Sequence, residues 1–216
     1  RLLCLHCVVR IERVDSNDYT RVVDPAGGTI VSSMKASLVA IGLASLTACS
    51  GVDVSEYSRQ TPEFVPEEFF AGYLTAHGVV KDFKGLVIRR FNADISACWR
   101  NGIGTLDEQF LFADGERQTR VWTLTPRGDK RYAATAGDVV GEGSAQWSGN
   151  AFFLDYTLRV SLDDSTIDLH IDDRMYRVSD NVVLNESAMS KWGVGVGAIV
   201  LTIIRHPERA VTCTQS

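Results

Sequence analysis

From Tyr73 to Arg205 the chain keeps a period of two, broken by turn signals every eight to fourteen residues. Successive side chains of a strand point to opposite faces, so a sustained two-residue period restricts the chain to half-buried antiparallel sheet. Val87, Phe91, Ala93, Ile95, Ala97 and Trp99 alternate with Arg90, Asn92, Asp94 and Ser96, giving one apolar and one wet face. Leu106, Phe110 and Phe112 repeat the pattern up to Asp114-Gly115, a hairpin-turn dipeptide, and Trp122 and Leu124 follow on the return. Further turns at Arg127-Gly128-Asp129, Ser148-Gly149-Asn150, Asp163-Asp164-Ser165 and Ser179-Asp180-Asn181 bring the count to about ten strands. Such a meander must cover two edges and a wide inner surface, and closing on itself does both. The expected fold is all-β: an up-and-down antiparallel barrel of about 8–10 strands over residues 73–206, with a β-sandwich as the alternative. Charges interrupt the apolar face, which disfavours a membrane-spanning barrel.

What precedes the strands sets an address. Met34-Lys35, the short apolar run Ala36 to Ser45 and the small residues before Cys49 form a secretory signal over residues 34–48. Leu46-Thr47-Ala48-Cys49 reads as a bacterial lipobox, so Cys49 is expected to carry lipid and to begin the mature protein. The run is too short to span a bilayer, for which about 20 apolar residues are needed. Ser50 after the cysteine points to the outer membrane, facing the periplasm. Residues 1–33, with Cys4 and Cys7, are expected to lie outside the native protein, and residues 49–72 to form a lipidated tether. Within that segment Phe69 and Phe70, after Pro66, are expected to plug one end of the domain. Residues 207–216 are a C-terminal tail.

Between Cys49 and Ser216 there are 17 Lys and Arg against 23 Asp and Glu, a net charge of −6. An acidic chain without a basic run excludes nucleic acid as a partner, and leaves lipid rather than charge to hold it to a membrane. Cys98 and Cys213 are left either as one disulfide or as two free thiols.

Alternation also puts charges on the apolar face. Arg89 shares its face with Val87 and Phe91, Glu108 lies between Leu106 and Phe110, and Arg120 precedes Trp122 on its face. Glu108 and Arg120 are near-equidistant from the Asp114-Gly115 turn, so the hairpin sets them opposite each other. Buried charges must pair, so Glu108 is expected to meet Arg120, Arg89 or both. Two readings stay open. One is a structural ion-pair network that fixes strand register. The other is the polar floor of a pocket, with an arginine holding the head of a fatty acid or other amphiphile among Phe91, Phe110, Trp122 and Tyr156. Gly193, Gly195 and Gly197 on the last strand mark either close backbone approach or a hollow for ligand.

No catalytic constellation emerges. His77, His170 and His206 are scattered without metal-ligand spacing, Asp172-Asp173 reads as a solvated acidic edge, and Ser144 lacks a nucleophile-elbow frame. No cofactor motif is present. A protein partner is not specified by any motif.

One set of ordered motifs carries a resemblance. Pro66-Glu67-Glu68-Phe69-Phe70-Ala71-Gly72, Leu106-Asp107-Glu108-Gln109-Phe110, Arg120-Val121-Trp122, Ala136-Gly137-Asp138-Val139-Val140-Gly141 and Lys191-Trp192-Gly193 resemble the proteobacterial lipoprotein family of domain of unknown function 3833. The likeness runs from Thr61 to Arg205. It departs after Asp172-Asp173, where Arg174-Met175 stands in place of an aromatic residue. The resemblance implies a small envelope lipoprotein with a lipocalin-like barrel, and implies no catalytic residues.

Overall fold

A computed structural model describes residues 51–162 and 165–213. Cys49, the signal segment, the leader with Cys4 and Cys7, and the Asp163-Asp164 turn lie outside the described residues. Ten strands follow one another: β1 Gly72–Asp82, β2 Val87–Arg100, β3 Ile103–Phe112, β4 Arg117–Gly128, β5 Arg131–Thr135, β6 Gly143–Ser148, β7 Ala151–Ser161, β8 Thr166–Ser179, β9 Val182–Lys191 and β10 Val194–His206. Each pairs antiparallel with its neighbours in sequence, and β1 pairs with β10 from Tyr73↔His206 to Asp82↔Gly197. The sheet is therefore a closed barrel and not a sandwich.

The expected inner face is the observed one. Phe91, Ala93, Ile95 and Ala97 of β2 are buried while the residues between them are exposed. Leu74, Ala76, Leu106, Trp122, Leu124, Leu154, Ile171, Val183 and Ile203 complete the lining from the other strands. Pro126 sits in β4 near its end, where the ladder to β5 slips register, the place a residue without an N–H is tolerated.

One end of the barrel is plugged. A single helical turn, α1 Pro66–Phe69, starts at a proline, which costs nothing where the first N–H groups have no partner. It delivers Phe69 and Phe70 into the barrel beside Phe64; these three rings stack among themselves and on Phe152. All three are at most 3% exposed, and burying each contributes roughly 1.5–3 kcal/mol. The Trp99 indole N–H donates to the Phe70 carbonyl at 2.6 Å and fixes the plug.

Residues 51–65, expected as a tether, are seated on the outer wall. A 3-10 turn, Val54–Tyr57, buries Val54, and Tyr57 packs its ring on Phe153 and Tyr176. Gly149 makes this possible: a β-carbon there would collide with the Tyr57 carbonyl oxygen, and its φ of +53° suits glycine.

The opposite end is formed by the tips of the other hairpins, where Phe83, Leu86 and Trp192 are 66–91% exposed. At the glycine-rich last strand, Gly193 (φ +79°) turns the β9–β10 hairpin. A β-carbon at Gly197 would come 2.5 Å from the Lys81 carbonyl oxygen, so close approach holds there. None of the three glycines lines a hollow.

Cys98 and Cys213 form a disulfide with Cα atoms 5.8 Å apart, closing a span of 115 residues. The tail is thereby tied to the outer wall of β2. Constraining so long a loop in the unfolded chain is worth several kcal/mol. Replacing both cysteines by alanine is expected to lower unfolding free energy by about 2–5 kcal/mol in a denaturant titration.

A barrel cavity with a carboxylate-rich floor

The interior is not filled. Above the plug, the side chains leave a cavity of about 110 Å³. Since one water needs about 10–15 Å³ measured this way, it holds roughly eight waters, or about 240 Å³ of liquid. That is room for a short acyl chain or one fused ring system, and is below the 300–1,000 Å³ of drug-sized sites. Phe91, Phe110, Trp122 and Tyr156 all line it, as do Ile199, Leu201 and Ile203 of β10. Trp122 and Tyr156 meet edge to face at 5.1 Å. Gly78 makes room for this wall: a β-carbon there would lie 2.6 Å from the Phe91 ring.

The hairpin register places Glu108 opposite Arg120, as the turn position requires. Both line the cavity. They are not each other's closest partners. The nearest approach is 4.0 Å, whereas Arg120 donates from Nε and Nη2 to the Asp138 carboxylate at 2.9 and 2.7 Å. Asp138 reaches in from residues 136–142, which are fastened to β7 by Val140 N–H to Thr157 and Arg159 N–H to Asp138 carbonyl bonds. Exposure rises from Glu108 (14%) through Arg120 (19%) to Asp138 (36%), so the charges lead from the interior toward solvent.

Three further polar groups face the same space. Asp173 of β8 is 7% exposed and accepts from Ser187 Oγ at 2.8 Å and from Asn185 Nδ2, both at its Oδ1. Asp172-Asp173 is therefore not a solvated edge. Asp172 points outward to Arg174, and Asp173 points inward. Alternation with Ile171 and Met175 carried that signal. Asn185 and Ser187 likewise alternate with Val183 on β9, and Asp138 sits in a loop that no strand periodicity could orient.

Arg89 does not join the cluster. It faces the unplugged end, where Nη2 meets Asp114 at 3.1 Å and Glu116 at 2.6 Å, and its guanidinium lies 3.6 Å over the Phe112 ring. Neither Glu108 nor the cavity is within its reach, because Arg89 pairs with Val80 near the start of β2, at the unplugged end of the barrel. Through Phe112, which packs on Phe91 and Phe110, it supports the aromatic wall from outside.

Burial dominates the titration of the floor. It pushes the Glu108 carboxyl up to about 7; Arg120 pulls against it, and the fields of Asp173 and Asp138 add to it. Burial likewise raises Asp173 to about 6, despite its bonds from Asn185 and Ser187. The Tyr156 phenol is also held well above its ordinary value by burial and by Asp173. The floor is thus short of positive charge: two inward carboxyls face one guanidinium already taken by a third.

A closed ten-stranded antiparallel barrel with an internal cavity and a plugged end defines the class, a lipocalin-like β-barrel. The chain belongs to the family described as "Protein of unknown function (DUF3833)", whose model matches residues 43–205. Among solved structures it is similar to the S-type phycobiliprotein lyase CPES from Guillardia theta, at 13% identity and a TM-score of 0.50. That likeness covers 72% of this chain and 98% of the lyase. Such identity speaks for the fold alone. The comparison with curated proteins found no match.

A raised carboxyl favours the protonated folded state, so its contribution to stability is present below the unfolded value of 4.5 and is lost as pH rises through about 7. Wild-type protein is therefore expected to lose stability between pH 5 and 8 relative to Glu108→Gln. The difference, on the order of 2 kcal/mol, is measurable by urea titrations at the two pH values.

Proposed function

We propose that this protein is an envelope lipoprotein whose lipocalin-like barrel binds a small amphiphile. The observation that carries this reading is a mostly apolar cavity with the carboxyls of Glu108 and Asp173 at its floor, the layout of a ligand site and not of a closed core. Glu108 is met by the Trp122 side chain, and its nearest cation, Arg120, stands 4.0 Å away. A structural module would share the paired arginines but would leave neither the space nor a carboxyl without a close ion pair. The cavity's size favours a short or compact amphiphile over a long-chain fatty acid. The exposed Phe83, Leu86 and Trp192, opposite the plug, offer a surface at which such a molecule could be taken up.

The address rests on other observations. The lipobox ending at Cys49 supports an N-terminal lipid anchor, and Ser50 supports the outer membrane, facing the periplasm. A disulfide between Cys98 and Cys213 suits an oxidising compartment. Binding without catalysis is the proposed activity.

The neutral probe 1-naphthylamine, a single fused ring system, is expected to bind saturably, brighten, and quench tryptophan emission. Leu201→Trp, which fills the cavity, should cut that binding at least about tenfold; a probe that never saturates on folded protein would overturn the reading. For the address, labelled palmitate fed to producing cells is expected to appear on the wild type and to be lost in Cys49→Ser.

A further inference from the structure

We infer that the amphiphile held in this cavity carries a cationic, hydrogen-bond-donating head, of the primary ammonium kind, and not a carboxylate or phosphate. The inference rests on the reading that the cavity is a ligand site, and it identifies the chemistry that site selects.

Its basis is which atoms remain free. Arg120 is the one arginine lining the cavity; its Nε and Nη2 are both committed to Asp138 at 2.7–3.1 Å, and its Nη1 is turned to Glu108 at 4.0 Å. An anionic head would have to displace Asp138, whose loop is fastened to β7, or approach a guanidinium whose charge is already balanced. Arg89, the other candidate for an anion, is held at the rim by Asp114 and Glu116. The acceptors are in the opposite state. Asp173 takes its bonds from Asn185 and Ser187 at Oδ1, leaving Oδ2 to the cavity, and Glu108 is met only by the Trp122 side chain and, at 4.0 Å, by Arg120. Both carboxyls line the same cavity, with the Tyr156 phenol beside them. Vacant acceptors concentrated in a nearly dry space are costly unless a donor reaches them, and a cation meets both the hydrogen-bonding and the charge deficit.

The size of the space agrees with this assignment. A cavity for roughly eight waters takes a short alkyl chain along Phe91, Phe110 and Trp122 with its head at Glu108 and Asp173. An ammonium has three donors, enough for Glu108, the free oxygen of Asp173 and the Tyr156 oxygen together.

The test is a calorimetric titration of the full chain at about pH 8, where the floor carboxyls are ionised, with octylammonium, octanoate and octanol. Octylammonium is expected to bind at least about tenfold more tightly than octanoate, the gain of a charge-assisted bond. Glu108→Gln and Asp173→Asn, each checked for folding by circular dichroism, should remove most of that preference by weakening octylammonium at least about tenfold. Octanoate binding as tightly as octylammonium, or a preference that survives both substitutions, would overturn the head assignment and leave the amphiphile reading standing. If none of the three binds folded protein, both readings fail together.

Discussion

Closure of β1 onto β10 is the constraint on which the molecule depends. Ten twisted strands left open would expose two long rows of unpaired N–H and C=O groups and an apolar face far wider than the helical turns among the described residues could cover. Ten paired positions from Tyr73↔His206 to Asp82↔Gly197 remove both edges at once. The closure needs room, and Gly197 supplies it by letting the Lys81 carbonyl approach to where a β-carbon would stand. Once closed, the sheet has an inside, and the size of that inside is set by strand number rather than by any single residue.

A barrel this wide cannot be filled by its own side chains, and the chain deals with the two ends of the resulting space differently. At one end Phe64, Phe69 and Phe70 fill it with aromatic mass brought in by a single helical turn. In the middle, where Glu108, Arg120 and Asp173 enter, it stays open. Charged groups in a mostly apolar enclosure are unfavourable on their own, and here only Arg120 is well satisfied, by Asp138. Burial, with the fields of Asp173 and Asp138, raises the titration of Glu108, and the excess of carboxyls over guanidinium underlies the proposed choice of ligand.

Part of this site is legible before folding. The position of Asp114-Gly115 sets Glu108 against Arg120, because hairpin register is fixed by the turn, and period two puts Phe91, Phe110, Trp122 and Tyr156 inside. Asp173 was readable by the same rule, but its exposed neighbour Asp172 makes the pair look like a solvated edge. Arg89 shows the rule's limit. It occupies an inward position by count, yet it lies so near the start of β2 that it stands beyond the cavity, at the rim. Residues 51–65 read as a tether because they are polar and proline-bearing, and only the contact of Tyr57 with Gly149, Phe153 and Tyr176 makes them part of the wall.

By itself the sequence determined the approximate strand count, the inner faces of the main strands and the meander, because these follow from a local period and from turn residues a few positions apart. The stretch Leu46-Thr47-Ala48-Cys49, on which the proposed anchor rests, is likewise contiguous. Which charges meet was decided only by the tertiary structure. Asp138 comes from a loop, Asp173 from β8, and Ser187 and Asn185 from β9, all distant in sequence from Glu108, and no local pattern encodes a distance across a barrel. The disulfide between Cys98 and Cys213 has the same origin. Pairing over long separations depends on closure, and closure is a property of the whole sheet.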